Sequence, residues 1–456
     1  MTAIASYDPG MTASHLVSLL AISLLAAREV DALGFANGVK IGEPTDESVV
    51  LWTRLTAEGE PGNPVENWTA ANPNWTVPGA TGEVQFEYWK IATPRVKAIT
   101  PWRAVGQGND FCHQAKIDGL TPATPYGFRV VIKDSAITTS GEFTTAPRAD
   151  SAAPLTFAVS TCQEFELRDD PANGHRIYQS MLALKPAFFV QTGDTLYYDR
   201  REPLAKNITL ARYRWGQMYG LPFQKAFHRL IPSYWMHDDH DLLKDDCWPG
   251  QSYGELTWDQ GLAVWHEQIP QSEKPYRTFR WGRDLQIWLP EGREYRSPNT
   301  MPDGPDKSIL GKEQWAWLEK SMKASDATFK LYISATPVVG PDRKGKNDNH
   351  ANKGFAHEGE RLRRFLNSVP GCFVINGDRH WQYHSQDPET HLHEFGCGPA
   401  SDAHAQGFSM NNQEPWQDFL RIKGGFLTIS IMPETATVKH HAVDGTIVHT
   451  TKILAP

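Results

Sequence analysis

The sequence predicts a mixed α/β protein in which a small all-β unit precedes a larger α/β unit. Three observations carry that expectation. Across 33–147, short runs rich in β-branched and aromatic residues (48–53, 83–89, 126–132 and 140–145) are separated by Gly, Pro and Asn. Residues 146–154 are mostly small residues and prolines, the composition of a linker. From residue 155 onward, apolar strand-like runs alternate with segments whose apolar residues recur at helical spacing.

In chain order, residues 1–32 read as a leader. Residues 16–27 are apolar over the length of a signal core, and Val30-Asp31-Ala32 fits a small-residue cleavage site. The run is too short to span a bilayer, which takes about 20 residues. No Lys or Arg precedes it, so a structured N-terminal helix is the competing reading. Export to a secreted or periplasmic location is the expectation. Residues 33–147 suit a small β-sandwich. The approach Leu120-Thr-Pro-Ala-Thr-Pro-Tyr126 to one of its strands resembles that of fibronectin type III domains.

The α/β unit occupies 148–456. A strand over 155–160 ends near Cys162, a helix is expected over 175–184, and a second strand over 187–192 ends at Gly193-Asp194, which makes a βαβ unit. Helical segments are expected over 205–231, 312–321 and 358–367. Strands are expected over 284–289, 330–334 and 372–375, and the tail at 426–431 and 436–441 alternates like an antiparallel pair.

Composition narrows the function. With 40% hydrophobic residues in 456, sizeable cores are available, and 16 Trp, 32 Pro and 36 Gly suit a loop-rich enzyme. The net charge is −8 with no basic stripe, which argues against nucleic-acid binding. Five cysteines do not make a disulfide scaffold. No Gly-x₄-Gly-Lys-Ser/Thr loop and no Gly-x-Ser-x-Gly elbow occurs.

The chemistry-bearing residues collect just past strand ends. Cys162 can supply a metal thiolate, or else be a small buried hydrophobe. Asp194 follows a glycine that permits a sharp turn, so its carboxylate can stand between two cations. Tyr197 offers a phenolate, a hard anion suited to Fe³⁺; the alternative makes Tyr197 and Tyr198 rim aromatics. His237-Asp-Asp-His-Asp241 crowds like charge that calls for a cation, with Asp239 as ligand and His240 as proton donor to the leaving group or hydrogen-bond donor to its oxygen. A solvated acidic loop is the alternative. Alternation past a strand points Asp378 and His380 to one side and Arg379 to the other, as a structural residue. Arg293 and Arg296 suit bidentate phosphate contact, and a structural ion pair fits them equally.

These residues together resemble the PhoD-like alkaline phosphatase and phosphodiesterase family, a branch of the calcineurin-like metallophosphoesterases. The residues 39–54 are similar to the start of that family's N-terminal β domain. Ser160-Thr-Cys-Gln163, Gly193-Asp-Thr-Leu-Tyr197, Asp238-Asp-His-Asp241, Glu291-Gly-Arg-Glu-Tyr-Arg296 and Gly377-Asp-Arg-His380 then follow in family order. The resemblance implies a four-layer αββα core. It also implies a ferric-like site at Cys162, Asp194, Tyr197 and His380, and a hard divalent ion, Ca²⁺, at Asp194, Asp239 and Asp378. Mn²⁺ and Zn²⁺ are further candidates. His240 matches the histidine beside the leaving group. There are departures: Ile333-Ser-Ala-Thr-Pro337 stands where many relatives carry a histidine ligand, which turns attention to Asn349 and His350. Leu242-Leu-Lys-Asp-Asp246 stands where relatives often carry asparagines.

The expected function is metal-dependent hydrolysis of phosphate monoesters or diesters, small-molecule or lipid, by a metal-bound hydroxide. A phospholipase D-like diesterase is one alternative. The other is a non-catalytic exported glycan- or polymer-binding protein with a structural metal, motivated by Asn67-Trp-Thr69 and Asn74-Trp-Thr76.

Overall fold

The apolar strands after residue 154 build two sheets that face each other in this computed structural model, which describes residues 33–59, 77–272 and 274–456. The expected leader at 1–32 and the tryptophan segments at 67–69 and 74–76 lie outside the described residues. In spatial order, the nine-stranded sheet runs Ile447–Leu454, Thr435–Ala442, Gly425–Met432, Leu155–Ser160, Phe189–Thr192, Ser233–Met236, Val39–Gly42, Val49–Arg54 and Cys112–Ile117. The seven-stranded sheet runs Arg277–Trp281, Leu285–Leu289, Phe329–Ser334, Cys372–Asn376, His393–Cys397, Gln382–Gln386 and Gln417–Arg421.

The central strands of both sheets are parallel neighbours. Parallel strands are covered on both faces, which is why they read as unbroken apolar runs. Between the sheets, Phe157, Val159, Val190 and Tyr234 meet Ile287, Leu331, Ile333 and Phe373 in one core. Helices Ile177–Leu184 and Pro222–His228 cover the outer face of the nine-stranded sheet through Ile177, Tyr178, Met181 and Phe227. Helices Gly311–Ala324 and Ala356–Asn367 cover the other through Trp315, Leu318, Leu362 and Leu366. The result is the four-layer αββα arrangement. Two more helices, Ile208–Tyr219 and Trp258–Gln268, pack around Trp235. Their starts are set by sequence: Asn207 accepts from Leu210 N at 2.9 Å, and Thr257 and Gln260 form a reciprocal capping box.

The N-terminal β unit is a sandwich with one shared layer. Val39–Gly42 pairs in parallel with Ser233–Met236, so three N-terminal strands are the end of the nine-stranded sheet. The second layer has five strands: Ala98–Ile99, Gly82–Lys90, Pro125–Ile132 and Thr138–Thr144 in order, with Arg103–Val105 pairing to Gly82–Lys90. Ile41, Val49 and Leu51 pack against Val84, Phe86 and Phe128 between the layers. Tyr126 Oη accepts from Thr121 N at 3.0 Å, which ties the expected turn to its strand.

Where the two sheets approach at the tail, four histidines meet. His384 Nε2 lies 3.0 Å from His393 Nδ1, and Thr451 Oγ1 lies between His384 Nδ1 at 3.3 Å and His449 Nε2 at 3.0 Å. His440 packs 5.6 Å from the His449 ring. Burial, with His393 and His449 adding, pushes His384 down to about 3, and burial also lowers His440, His393 and His449. The exposed Asp418 carboxylate, 3.5 Å from His384 Nδ1, does not reverse this.

Two expectations follow. Removing residues 1–147 strips Ser233–Met236 of its neighbour Val39–Gly42 and turns it into an edge strand, so 148–456 expressed alone should aggregate; a soluble monomer with a cooperative melt would show that the sheet can end there. A histidine held neutral in the fold but titrating near 6.5 when unfolded contributes full stability above that pH, and loses it as pH falls toward the folded value. His384→Gln should therefore reduce the drop in unfolding free energy between pH 7 and pH 5 by about 2 kcal/mol, read from urea midpoints.

Candidate metal centre

Parallel strands place their C-terminal ends at one edge, and that edge gathers the site. Leu155–Ser160, Phe189–Thr192 and Ser233–Met236 end there from one sheet, and Cys372–Asn376 ends there from the other. Just beyond, Cys162, Asp194 and Asp378 all adopt left-handed backbone, with φ of 48°, 51° and 61°. For non-glycine residues this costs on the order of 1–3 kcal/mol each and persists only where the surroundings enforce it. Gly193 is needed at its position: with φ +89°, an added Cβ would also sit 2.7 Å from the Asp238 Cβ.

Two groups of donors meet at Asp194. On one side Cys162 Sγ donates to Asp194 Oδ2 at 3.3 Å, Tyr197 Oη donates to the same oxygen at 3.0 Å, and His380 Nε2 lies 3.3 Å from Tyr197 Oη. On the other side Asp194, Asp238 and Asp378 each offer a carboxylate oxygen within 4.8 Å of the others. Asp194 Oδ1, Asp238 Oδ2 and Asp378 Oδ2 are buried and make no hydrogen bond. Arg379 Nη2 lies 2.6 Å from Asp378 Oδ2 as an ion contact without hydrogen-bond alignment.

The electrostatics ask for cations. Burial pushes Asp194 well above the usual carboxylate range despite His240, with Asp239, Asp238 and Asp378 adding to it. Burial lifts Asp238 to about 6 against the pull of Arg293, and Asp378 to about 7 against Arg379. Cys162 and Tyr197 are pushed up by burial and then by the Asp194 charge. Together these groups can ionise only if positive charge is supplied between them. Burial, with His404 adding, holds His380 well below its usual value, so its ring is neutral and able to ligate. A thiol, a phenol, an imidazole and orphaned carboxylate oxygens thus fit a pair of cations sharing Asp194.

His240 behaves differently. Burial opposes its charge, but Asp239, Asp194 and Asp199 outweigh burial and raise it well above 6.5. Its Nδ1 is 2.6 Å from Asp199 Oδ1, and its Nε2 lies 3.4 Å from Arg200 Nη2. Asp239 accepts from His240 N at 2.9 Å and groups with Asp194 and His240. Burial pushes Asp239 up, but Arg293 and His240 outweigh it and hold it below the carboxylate range.

Several expectations need correction. Asp238 joins the set by grouping with Asp194 and Asp378, while Asp239 groups with Asp194 and His240. Arg293 is 1% exposed, its Nε pairs with Asp238, and its Nη2 lies 3.7 Å from Asp239, the ion pairing of its structural alternative. Arg296 is likewise buried, donating to Asn299 Oδ1 at 2.8 Å and to the Asp348 carbonyl. Both arginines therefore hold the protein's own acceptors. Tyr198 is buried, with Trp215 Nε1 donating to its hydroxyl at 2.8 Å, and does not line a rim. His350 turns to Glu358 at 3.0 Å, and Asn349 donates to Asp342 at 2.8 Å, so neither reaches the cluster. The chain past Asn376 has left the strand, since Arg379 N donates to Gly377 O at 2.7 Å. Asp378 and His380 therefore serve different groups of donors, while Arg379 Nε pairs with Asp342 at 2.9 Å.

Reading the sequence missed Asp238, Asp199 and His404. The His404 ring lies 4.0 Å from that of His380, tilted by 47°, and its Nδ1 lies 3.1 Å from the Cys162 carbonyl. Only the density of charge in His237–Asp241 hinted at Asp238. Asp199 and His404 carried no local signal.

Comparison with known proteins agrees with this geometry. Alkaline phosphatase D of Bacillus subtilis (strain 168) is 24% identical over an alignment of 501 residues, covering 94% of this chain and 81% of that protein. A solved structure of PhoD matches with a TM-score of 0.74 at 20% identity, over 93% of this chain and 90% of that one. Purple acid phosphatase PPD1 from yellow lupin (Lupinus luteus) seeds shares the fold, with a TM-score of 0.65 at 11% identity over 93% of this chain and 74% of that one. The model of the PhoD-like phosphatase N-terminal domain matches residues 21–147. The PhoD-like phosphatase model itself matches residues 157–425, more than half of the sequence and every strand end described above, and the chain belongs to the PhoD-like phosphatase family.

Proposed function

We propose that this metal-dependent phosphoesterase cleaves phosphate monoesters and diesters at the strand-end edge, with a ferric ion held by Cys162, Asp194, Tyr197 and His380. Asp194, Asp238 and Asp378, with Asp239 beside them, would hold a hard divalent ion, Ca²⁺. The observation that carries this reading is the set of three buried carboxylate oxygens without hydrogen bonds, one from each of Asp194, Asp238 and Asp378. Oxygen-only donors suit Ca²⁺, and a thiolate with a phenolate suits a more highly charged ion. When bound, such a pair acidifies a shared water and offsets the charge gathering on the phosphoryl oxygens.

The chain's own residues do the rest. Asp194 accepts at Oδ2 from Cys162 and Tyr197 and keeps Oδ1 without a hydrogen bond, so its carboxylate could contribute to the holding of both ions. His240, charged and steered by Asp199 at Nδ1, presents Nε2 to protonate the departing alkoxide. Arg293 neutralises Asp238 and Asp239 from behind, which lets two adjacent carboxylates stay ionised. The phosphate ester is the substrate class. Among the described residues no helix is long and apolar enough to cross a membrane, and the apolar run at 16–27 supports a secreted or periplasmic location.

Two experiments test this. Protein purified without chelator should contain iron and calcium by elemental analysis and hydrolyse nitrophenyl phosphate and bis-nitrophenyl phosphate. Asp378→Asn and Asp194→Asn should lose both metal and turnover, and equal turnover after complete metal removal would overturn the mechanism. His240→Asn should lower kcat by about 10²–10⁴-fold, more for alkyl than for nitrophenyl leaving groups. Asp199→Asn should fall in the same direction by less; an unchanged leaving-group dependence in both variants would remove His240 as proton donor.

A further inference from the structure

Beyond the strand Phe329–Ser334, the chain walls a cleft of about 710 Å³. Arg343, Lys344, Lys346, Lys353 and Arg363 line it against one carboxylate, Asp342. In a protein of net charge −8, this concentration of positive charge does not reflect overall composition.

Part of that charge is already engaged. Asp342 accepts from Asn349 at 2.8 Å and pairs with Arg379 at 2.9 Å. Lys346 pairs with Asp246 at 2.7 Å, and Arg363 with Asp387 at 3.1 Å. Among the described residues, the Arg343 guanidinium and the Lys344 and Lys353 ammonium groups form no ion pair within 4.0 Å, although the Arg343 backbone N donates to Asp342 Oδ1 at 2.6 Å. Lys344 and Lys353 are exposed. Arg343 and Lys344 also line a second cleft of about 550 Å³ that continues to Phe408.

Two residues lining the cleft connect to the metal centre, each through one intervening residue. Asp342 grips Arg379, whose guanidinium lies 2.6 Å from Asp378 Oδ2. Lys346 grips Asp246, whose backbone N donates to Asp239 Oδ2. A substrate seated over the metal centre would thus extend part of itself between cations that lack counter-charges. Such a cleft raises the local concentration of anions and favours a compact, doubly charged group.

We propose that this cleft is a subsite for a second phosphoryl group, so that the enzyme favours esters carrying another phosphate beside the one cleaved. The subsite rests on the phosphoesterase reading of the metal centre. The second phosphate can be joined through a separate ester or through an anhydride.

The test uses the metal-loaded full chain. In one arm, kcat/KM is compared for thymidine 5′-nitrophenylphosphate with and without a 3′-phosphate; in the other, nitrophenol release is compared for nitrophenyl diphosphate and nitrophenyl phosphate, in which the same ester bond is cleaved. A preference in the first arm identifies an ester-linked second phosphate, and in the second an anhydride-linked one. The preferred substrate should gain about three- to tenfold, expressed in KM, and lose this gain at high salt and in the Lys344→Ala/Lys353→Ala variant. Turnover of bis-nitrophenyl phosphate should stay unchanged in that variant. Equal kcat/KM within both pairs, or a preference that survives the double substitution, would overturn the subsite. Failure of the wild-type protein to hydrolyse either nitrophenyl ester would overturn the phosphoesterase reading and the subsite with it.

Discussion

Like charge buried at a dry strand edge must find positive charge, and the structure around the centre is arranged to meet that demand. Asp194, Asp238, Asp239 and Asp378 converge from three strand ends within reach of one another. Two buried arginines, Arg293 and Arg379, answer part of the charge from opposite sides. Neither can answer all of it, because three carboxylate oxygens remain without a hydrogen-bond donor. In a low-dielectric interior an unanswered carboxylate protonates rather than staying charged. The arginines therefore tune the cluster, and bound cations complete it.

Much of this arrangement was legible in the sequence because the strands that deliver it are apolar on both faces. The runs at 155–160, 187–192 and 372–375 announced themselves, and Cys162, Asp194, Tyr197, Asp378 and His380 sit where those runs stop. The strands Gln382–Gln386 and His393–Cys397 did not. They bury Ser385 together with Gln382, His384 and Glu394, which bond to Arg421, His393 and Tyr383 in turn, so their composition mimics a loop. Asp238 and Asp239 are neighbours, and spacing cannot say which one a turning backbone aims inward. Asp199 lies 41 residues from His240, and His404 lies 242 from Cys162, so only the fold joins them. Arg293 and Arg296 show the opposite difficulty: a guanidinium recognises a carboxylate and a phosphate by the same geometry.

The N-terminal unit illustrates how a sandwich can be recognised while its boundary is not. Its short strands rich in β-branched and aromatic residues, its punctuation and Tyr126 all point to two layers, and two layers form. One of them is continuous with the central sheet, through a parallel pairing that leaves no mark on the sequence of either partner. The same continuity braces Ser233–Met236, whose C-terminal end carries Asp238, Asp239 and His240 into the centre.

That pairing also has a cost in time. A ribosome delivers Gly42 long before Ser233 exists, and the hydrogen bonds between them close the largest loop in the sheet's N-terminal half. Contacts so distant along the polypeptide form late and leave early segments exposed while translation proceeds. The nascent protein therefore emerges with its first strands lacking a lateral neighbour on one side, a state in which chaperone shielding matters most.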